Sequence, residues 1–243
     1  NAVDLRSTLD AWLNEMKREP DFYVIYNKYF KSSKTQRLRA RSDFSSISKG
    51  RISPYDDIIQ EAAQELGIDW LLMASIIFQE SKFDPEVESW AGAKGLMQLT
   101  NNVIEEYGVG DVYNPEENIW AGAKHLEWLM SYWSDEIEGT EEQIKFTLGA
   151  YNVGQGHVRD AMRLAKKYNE DQYDWDVVSK YLLLKSTSEY YNDPVVQYGY
   201  CRGTEPVNYV KQIMNRYEQY EMFFSDEQST QDSTVIVEAN LIH

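Results

Sequence analysis

Cysteine is almost missing: Cys201 is the one thiol in 243 residues. No disulfide can close within the chain, and a cysteine nucleophile or thiolate metal site would rest on that single residue. Histidine is nearly as scarce. His125, His157 and His243 form no HExxH pattern and no Cys/His cluster, so the sequence offers no metal site. The run GAKGL lacks the spacing of a phosphate-binding loop. Apolar stretches fall short of the roughly 18–20 residues that span a bilayer. Positive charge is outnumbered, with 24 Lys and Arg against 40 Asp and Glu, for a formal charge of −16. A surface of that sign repels phosphate backbones and gains nothing from anionic lipid, which argues against nucleic acid as a partner. A chain that starts at Asn1 without a signal-like segment is expected to be processed or trimmed, and says nothing for a cytoplasmic home.

Aromatic residues, by contrast, are abundant: 14% of the chain, including 7 Trp and 18 Tyr. Such rings pair a flat apolar face with a polar edge, which suits core packing and carbohydrate contact alike. Residues 1–51 read as a separate N-terminal segment. Leu5, Leu9, Trp12, Leu13 and Met16 recur at helical spacing, and a basic, Ser-rich link follows from Lys31 to Arg51. From Ser53 on the signals are helical. Ser53 with Pro54 predicts a capped helix start, and Gly67 its end. Asp69 caps the next helix, Asn114-Pro115 opens a longer one, and Thr140 with Gln143 fits a capping box. Further helices are expected over Val158–Tyr168, Trp175–Leu184 and Pro206–Phe224. Nothing after residue 53 alternates like a sheet, so the expected fold is mainly α. Residues 225–243 read as an acidic, disordered tail in which TVIVEA could form an edge strand.

One stretch organises the rest, Met73 to Thr100. It begins as an apolar helical run, places Glu80 near the end of that run, and passes into a Gly-rich loop. Ile76, Ile77, Phe78 and Phe83 surround Glu80 in sequence, so its carboxylate is expected to be partly desolvated. The helix C-terminus adds the negative end of a dipole, which also favours the protonated form. A rise of about two pH units, roughly 2.7 kcal/mol, would supply a general acid near neutral pH. The bland alternative is an exposed glutamate at a helix end, and composition does not decide between the two.

Four blocks in order do: ESKFDP, SWAGAKGLMQLT, GAYNVGQGHV and TEPVNYVKQI. Together they resemble the lytic transglycosylase catalytic domain, related to goose-type lysozymes, over residues 52–224. The resemblance is greatest to the membrane-bound F type. It implies a lysozyme-like helical domain with a deep glycan groove. Glu80 matches the family's single catalytic acid and Ser89 the serine that hydrogen-bonds it. Gln98, Tyr151, Asn152, Glu205 and Tyr209 match residues along the sugar groove. One departure is Thr100, where many members carry a Met that brackets the N-acetyl group.

The implied chemistry is cleavage of the bond between N-acetylmuramic acid and N-acetylglucosamine in peptidoglycan. Ordinary glycosidases use two carboxyl groups. Asp84, Glu86 and Glu88 match no second acid, so Glu80 would first protonate the bridging oxygen. It would then take the proton of the muramic C6 hydroxyl as a 1,6-anhydro ring closes, with no metal or organic cofactor. A hydrolytic muramidase of the same fold and a non-catalytic peptidoglycan-binding protein are the alternatives. Peptidoglycan strands are the expected partner, and the periplasm or outer envelope the expected location. Any membrane attachment would come from a region outside this chain. Leu5–Phe30 loosely resembles the final helix and exit segment of a periplasmic solute-binding module; an unrelated helical arm is the alternative.

Overall fold

The computed structural model describes the backbone of residues 51–240 and the side chains of residues 51–225. The expectations for the N-terminal segment before Arg51 lie outside the described residues. Residues 52–218 form one compact unit. It is built from α1 (Asp56–Leu66), α2 (Trp70–Ser81), α3 (Asn101–Tyr107), α4 (Pro115–Ser134), α5 (Thr140–Val153), α6 (Gln155–Lys167), α7 (Trp175–Leu184), the short α8 (Ser188–Tyr191), and the first part of α9 (Thr204–Asn240). Among the described residues there is no strand. The only extended pairing consists of two isolated bridges, Glu88 with Lys94 and Lys94 with Leu99, so the mainly α expectation holds.

α2 is the central helix. Asp69 accepts from Leu71 N (2.7 Å) at its start, as its position before the apolar run predicts. Every residue from Leu71 to Ile77 is buried, so the helix is enclosed on all sides rather than lying on a surface. α1 packs on both α2 and α4, α4 on α5, and α5 and α6 with α7 complete the frame. A line of edge-on rings runs through this core. Trp133 meets Phe146 at 5.5 Å between centroids, and Phe146 meets Trp175 at 5.5 Å.

Several helix ends differ from expectation in an informative way. Ser53 does not cap α1, which starts at Asp56 behind Tyr55. Instead the buried Asp56 carboxylate reaches back and accepts from Ile52 N (2.7 Å), Ser53 N (2.8 Å) and Ser53 Oγ (2.6 Å). The Thr140–Gln143 box is not formed either. α5 begins behind Gly139, and Gln143 Nε2 donates to Ile137 O (2.7 Å), tying the helix to the preceding turn. Asn114 does cap α4, accepting from Glu116 N and Glu117 N. At the far end α9 carries helical backbone beyond Phe224 to Asn240. No Gly or Pro follows Pro206 to stop it, whereas the tail was expected to be irregular.

Helices α6 and α7 hold a buried ion pair. Lys185 Nζ donates to Asp160 Oδ2 (2.7 Å), and both side chains are wholly inside. Asp160 also accepts from Arg163, Gln197 N (2.8 Å) and Tyr198 N (2.9 Å). The charge is therefore spread over side-chain and backbone donors, the condition under which a buried pair is tolerated. Structurally, the cluster pins the segment after α8, and Cys201 N adds a bond to Lys185 O (3.4 Å). That segment delivers residues 202–209 to the site.

Candidate active site

Glu80 lies one residue before the end of α2, and the backbone turns sharply behind it. Lys82 and Phe83 take φ of +54° and +65°, left-handed conformations that side-chain-bearing residues adopt at a cost of about 1 kcal/mol or more each. This turn ends the helix, with Lys82 N donating to Phe78 O (2.9 Å), and Phe83 packs edge-on against Phe78. A surface helix could relax such strain; here the enclosed α2 holds it in place.

The loop that follows folds back as a braced hairpin. Ser89 N donates to Ala93 O (2.9 Å), Gly95 N to Val87 O (2.9 Å), and Lys94 and Leu99 exchange two bonds. Gly95 has φ +77°, and a Cβ there would come within 2.2 Å of Asn118 Nδ2. The close approach is needed because Asn118, fully buried on α4, ties down the loop. Its carbonyl oxygen accepts from Met97 N (2.8 Å), and its amide donates to Lys94 O (3.1 Å) and Val112 O (2.8 Å). Leu96, Met97 and Leu99 are buried beneath the hairpin, which makes Met97 a core residue.

A groove of about 520 Å³ opens beside Glu80. Its lining includes Gln79 and Glu80 from α2, Trp90 from the hairpin, Asn152 from α5, and Arg202, Glu205 and Tyr209 from the last segment. Tyr209 is buried and its hydroxyl donates to Glu80 Oε1. Burial raises the Glu80 carboxyl to about 7, against an ordinary 4.5, and the Tyr209 hydrogen bond opposes that rise without cancelling it. The cause is desolvation, not a neighbouring carboxylate, so Glu80 is not half of a proton-sharing acid pair. Burial, and then the Glu80 charge, lift the phenols of Tyr151 and Tyr209 well above their usual range. Both remain neutral hydroxyls at physiological pH.

The structure brings Glu80, Asn152, Glu205 and Tyr209 to one groove wall and gives the other expected residues different tasks. Ser89 does not hydrogen-bond Glu80: its Oγ accepts from Ala93 N (3.0 Å) and closes the hairpin turn. Tyr209 supplies the bond instead. Gln98, at φ +50°, commits its amide NH₂ to Val87 O (3.1 Å) and Gly95 O (3.0 Å), leaving its carbonyl oxygen free of those bonds. Tyr151 donates to Met97 O (2.8 Å) and so locks α5 to the loop. His157 faces Lys185 Nζ at 3.1 Å; burial and then the lysine charge hold its imidazole below the ordinary range, as fits a packing residue. His125 stacks on Trp128 at 5.7 Å. Gln79, Trp90, Arg202, Thr204, Asn208 and Gln212 were not singled out from sequence. Each had one signal to find, its closeness in sequence to a residue that was singled out: Gln79 to Glu80, Trp90 to Ser89, and Arg202, Thr204, Asn208 and Gln212 to Glu205 and Tyr209.

Residues 57–174 match the family described as the transglycosylase SLT domain, and the chain carries that domain. Among curated relatives, the membrane-bound lytic murein transglycosylase F of Desulfosudis oleivorans is 38% identical over 214 residues. These cover 88% of this chain and 46% of that protein. The protein of the same name from Haemophilus influenzae is 35% identical, over 86% of this chain and 42% of its own length. The chain thus spans less than half the length of these relatives. In fold it is similar to the 70 kDa soluble lytic transglycosylase of Escherichia coli. The TM-score is 0.50 at 19% identity, over 82% of this chain and 32% of the other. An inactive mutant of the lytic transglycosylase Slt from Pseudomonas aeruginosa matches with a TM-score of 0.51 at 17% identity, over 88% and 32%.

Proposed function

We propose that this chain is a peptidoglycan lytic transglycosylase in which Glu80 is both acid and base. The observation that carries the reading is that Glu80, in an open groove, keeps its proton up to about pH 7. Protonated, it donates to the oxygen between N-acetylmuramic acid and N-acetylglucosamine as that bond breaks. The resulting carboxylate then accepts the proton of the muramic C6 hydroxyl while O6 closes on C1. Protons balance, no water is consumed, and the product ends in a 1,6-anhydro ring. The N-acetyl group beside C1 stabilises the positive charge that develops there. Glu205 is a second carboxylate in the groove lining, but no carboxylate contributes to the shift of Glu80. An acid that works without a coupled partner suits this route, because a hydrolase would need a second group to activate water.

Tyr209 positions Glu80 through its hydrogen bond, and Asn152 and Glu205 meet the sugars along the groove. Ser89, Gln98 and Tyr151 hold the loop and α5 in register around it. Residues 52–224 form the catalytic unit in this reading, with 1–51 as a preceding segment and 225–243 as a following one. The relatives' names, with the location of peptidoglycan itself, support an envelope site outside the cytoplasmic membrane. No described helix is long and apolar enough to cross a membrane.

The test is the mass of products released from purified sacculi. An anhydro end is one water lighter than a reducing end, so products of the heavier mass would turn the reading to a muramidase. Release of no soluble fragment would turn it to a binding protein. Glu80→Gln is expected to abolish release while binding to sacculi survives.

A further inference from the structure

Two side chains of the groove lining have no role in the chemistry and, among the described residues, no side-chain partner. Trp90 is 101% exposed, the most exposed of the large apolar side chains described. Among the described residues no ring or cation contacts it, although its neighbours in the hairpin are tightly bonded. The turn under it is closed by Ser89 N to Ala93 O and by Gly92 N to Ser89 O (2.9 Å), so the indole is held out on a rigid tip. Leaving an indole in water is unfavourable, and here it is left beside the groove. Among the described residues Arg202 is the one cation in the groove lining. Among the described residues no carboxylate lies within ion-pair distance of its guanidinium, in a chain that carries −16 overall.

We propose that Trp90 and Arg202 form a recognition pair for an anionic pyranose. The Trp90 face stacks on a sugar ring, and the Arg202 fork takes a carboxylate borne on that ring's substituent. A flat apolar surface matches the C–H face of a pyranose, and a guanidinium binds a carboxylate through two parallel hydrogen bonds. The groove also carries Glu80 and Glu205, so a ligand carboxylate entering it needs a compensating cation. This rests on the peptidoglycan reading, in which the muramic ring bears the anion. The carboxylate could be that of the lactyl ether in peptide-free strands, or those of the stem peptide where one is attached. Arg202 would thereby distinguish muramic from glucosamine units.

Binding is measured by calorimetry on the full chain carrying Glu80→Gln, so that no turnover intervenes. The ligands are a neutral chitin oligosaccharide, peptide-free muramyl glycan strands, and the same strands bearing stem peptides. Adding Trp90→Ala is expected to weaken all three about tenfold, with Trp90→Phe recovering most of the loss. Adding Arg202→Ala is expected to weaken only the carboxylate-bearing ligands, about tenfold, and to remove most of the salt dependence of their binding. Whichever of the two anionic ligands loses more identifies the carboxylate. Unchanged binding with Trp90→Ala, or equal losses on neutral and anionic ligands with Arg202→Ala, overturns the pair and leaves the proposed function standing. Failure of the Glu80→Gln chain to bind any of the three sinks both.

Discussion

The buried Tyr209 hydroxyl donates its hydrogen bond to Glu80 Oε1 across 129 residues of sequence. The bond favours the charged carboxylate, while burial favours the neutral acid, and burial wins. Tyr209 therefore trims the proton affinity of Glu80 as well as aiming it. In Tyr209→Phe the opposing effect is gone and the carboxyl should bind its proton still more tightly. The alkaline limb of the kcat/KM profile should move to higher pH than in the parent. Activity at the plateau should fall about tenfold from lost positioning. A limb that stays put or moves down would contradict this.

Glu80 also makes stability depend on pH, and the sign is fixed by the direction of its shift. Between pH 4.5 and about 7 the folded chain keeps a proton that the unfolded chain has released. Stability from this group is fully present below pH 4.5, declines as pH rises toward 7, and stays lost above it. Glu80→Gln removes that loss. The variant is expected to be more stable than the parent at pH 8, by up to about 3 kcal/mol before discounting for partial exposure of the side chain. At pH 4 the advantage should disappear. Urea unfolding at the two pH values checks both.

Asn118 is the post to which the catalytic loop is tied. Asn118→Ala would leave Met97 N and Val112 O without their side-chain partner and Lys94 O with its Leu99 N bond alone, in a setting that is buried to part-buried. The expected loss is about 2–4 kcal/mol. Amide exchange at Gly95, Met97 and Leu99 should accelerate more than exchange within α4, because the loop is released while the helix keeps its own bonds.

Gly203 lies backbone to backbone against α7. A Cβ there would come within 1.9 Å of Leu182 O and 2.1 Å of Leu182 C, neither of which can rotate away. Gly122 is also tight, with its nearest contact the flexible thioether of Met97 at 2.3 Å. Gly203→Ala is therefore expected to destabilise more than Gly122→Ala, by about 2 kcal/mol or more against a smaller loss. It should also raise KM, since Arg202, Thr204, Glu205, Asn208 and Tyr209 line the groove. Thermal unfolding and steady-state kinetics on both variants test the contrast.

Local signals carried far along this chain. The cap at Asp69, the cap and proline at Asn114-Pro115, and the apolar run into Glu80 are written in neighbouring residues, because helix caps and helical faces depend on spacings of a few positions. The Ser53 and Thr140 caps had the same local form and failed. In each case a longer reach was available, Asp56 back to Ile52 and Gln143 back to Ile137, and sequence could not rank the competing bonds.

Sequence by itself determined the helical class, the place of Glu80 at the end of an enclosed helix, and the reasons for that acid to hold a proton. Tertiary structure alone decided who touches Glu80. Ser89 was spent on its own hairpin, and Tyr209 arrived from the far end of the domain. It also decided that Asn118 would anchor the loop and that Trp90 and Arg202 would line the groove. These outcomes depend on which distant segments meet, and a hydrogen bond or an exposed face exists only once they have.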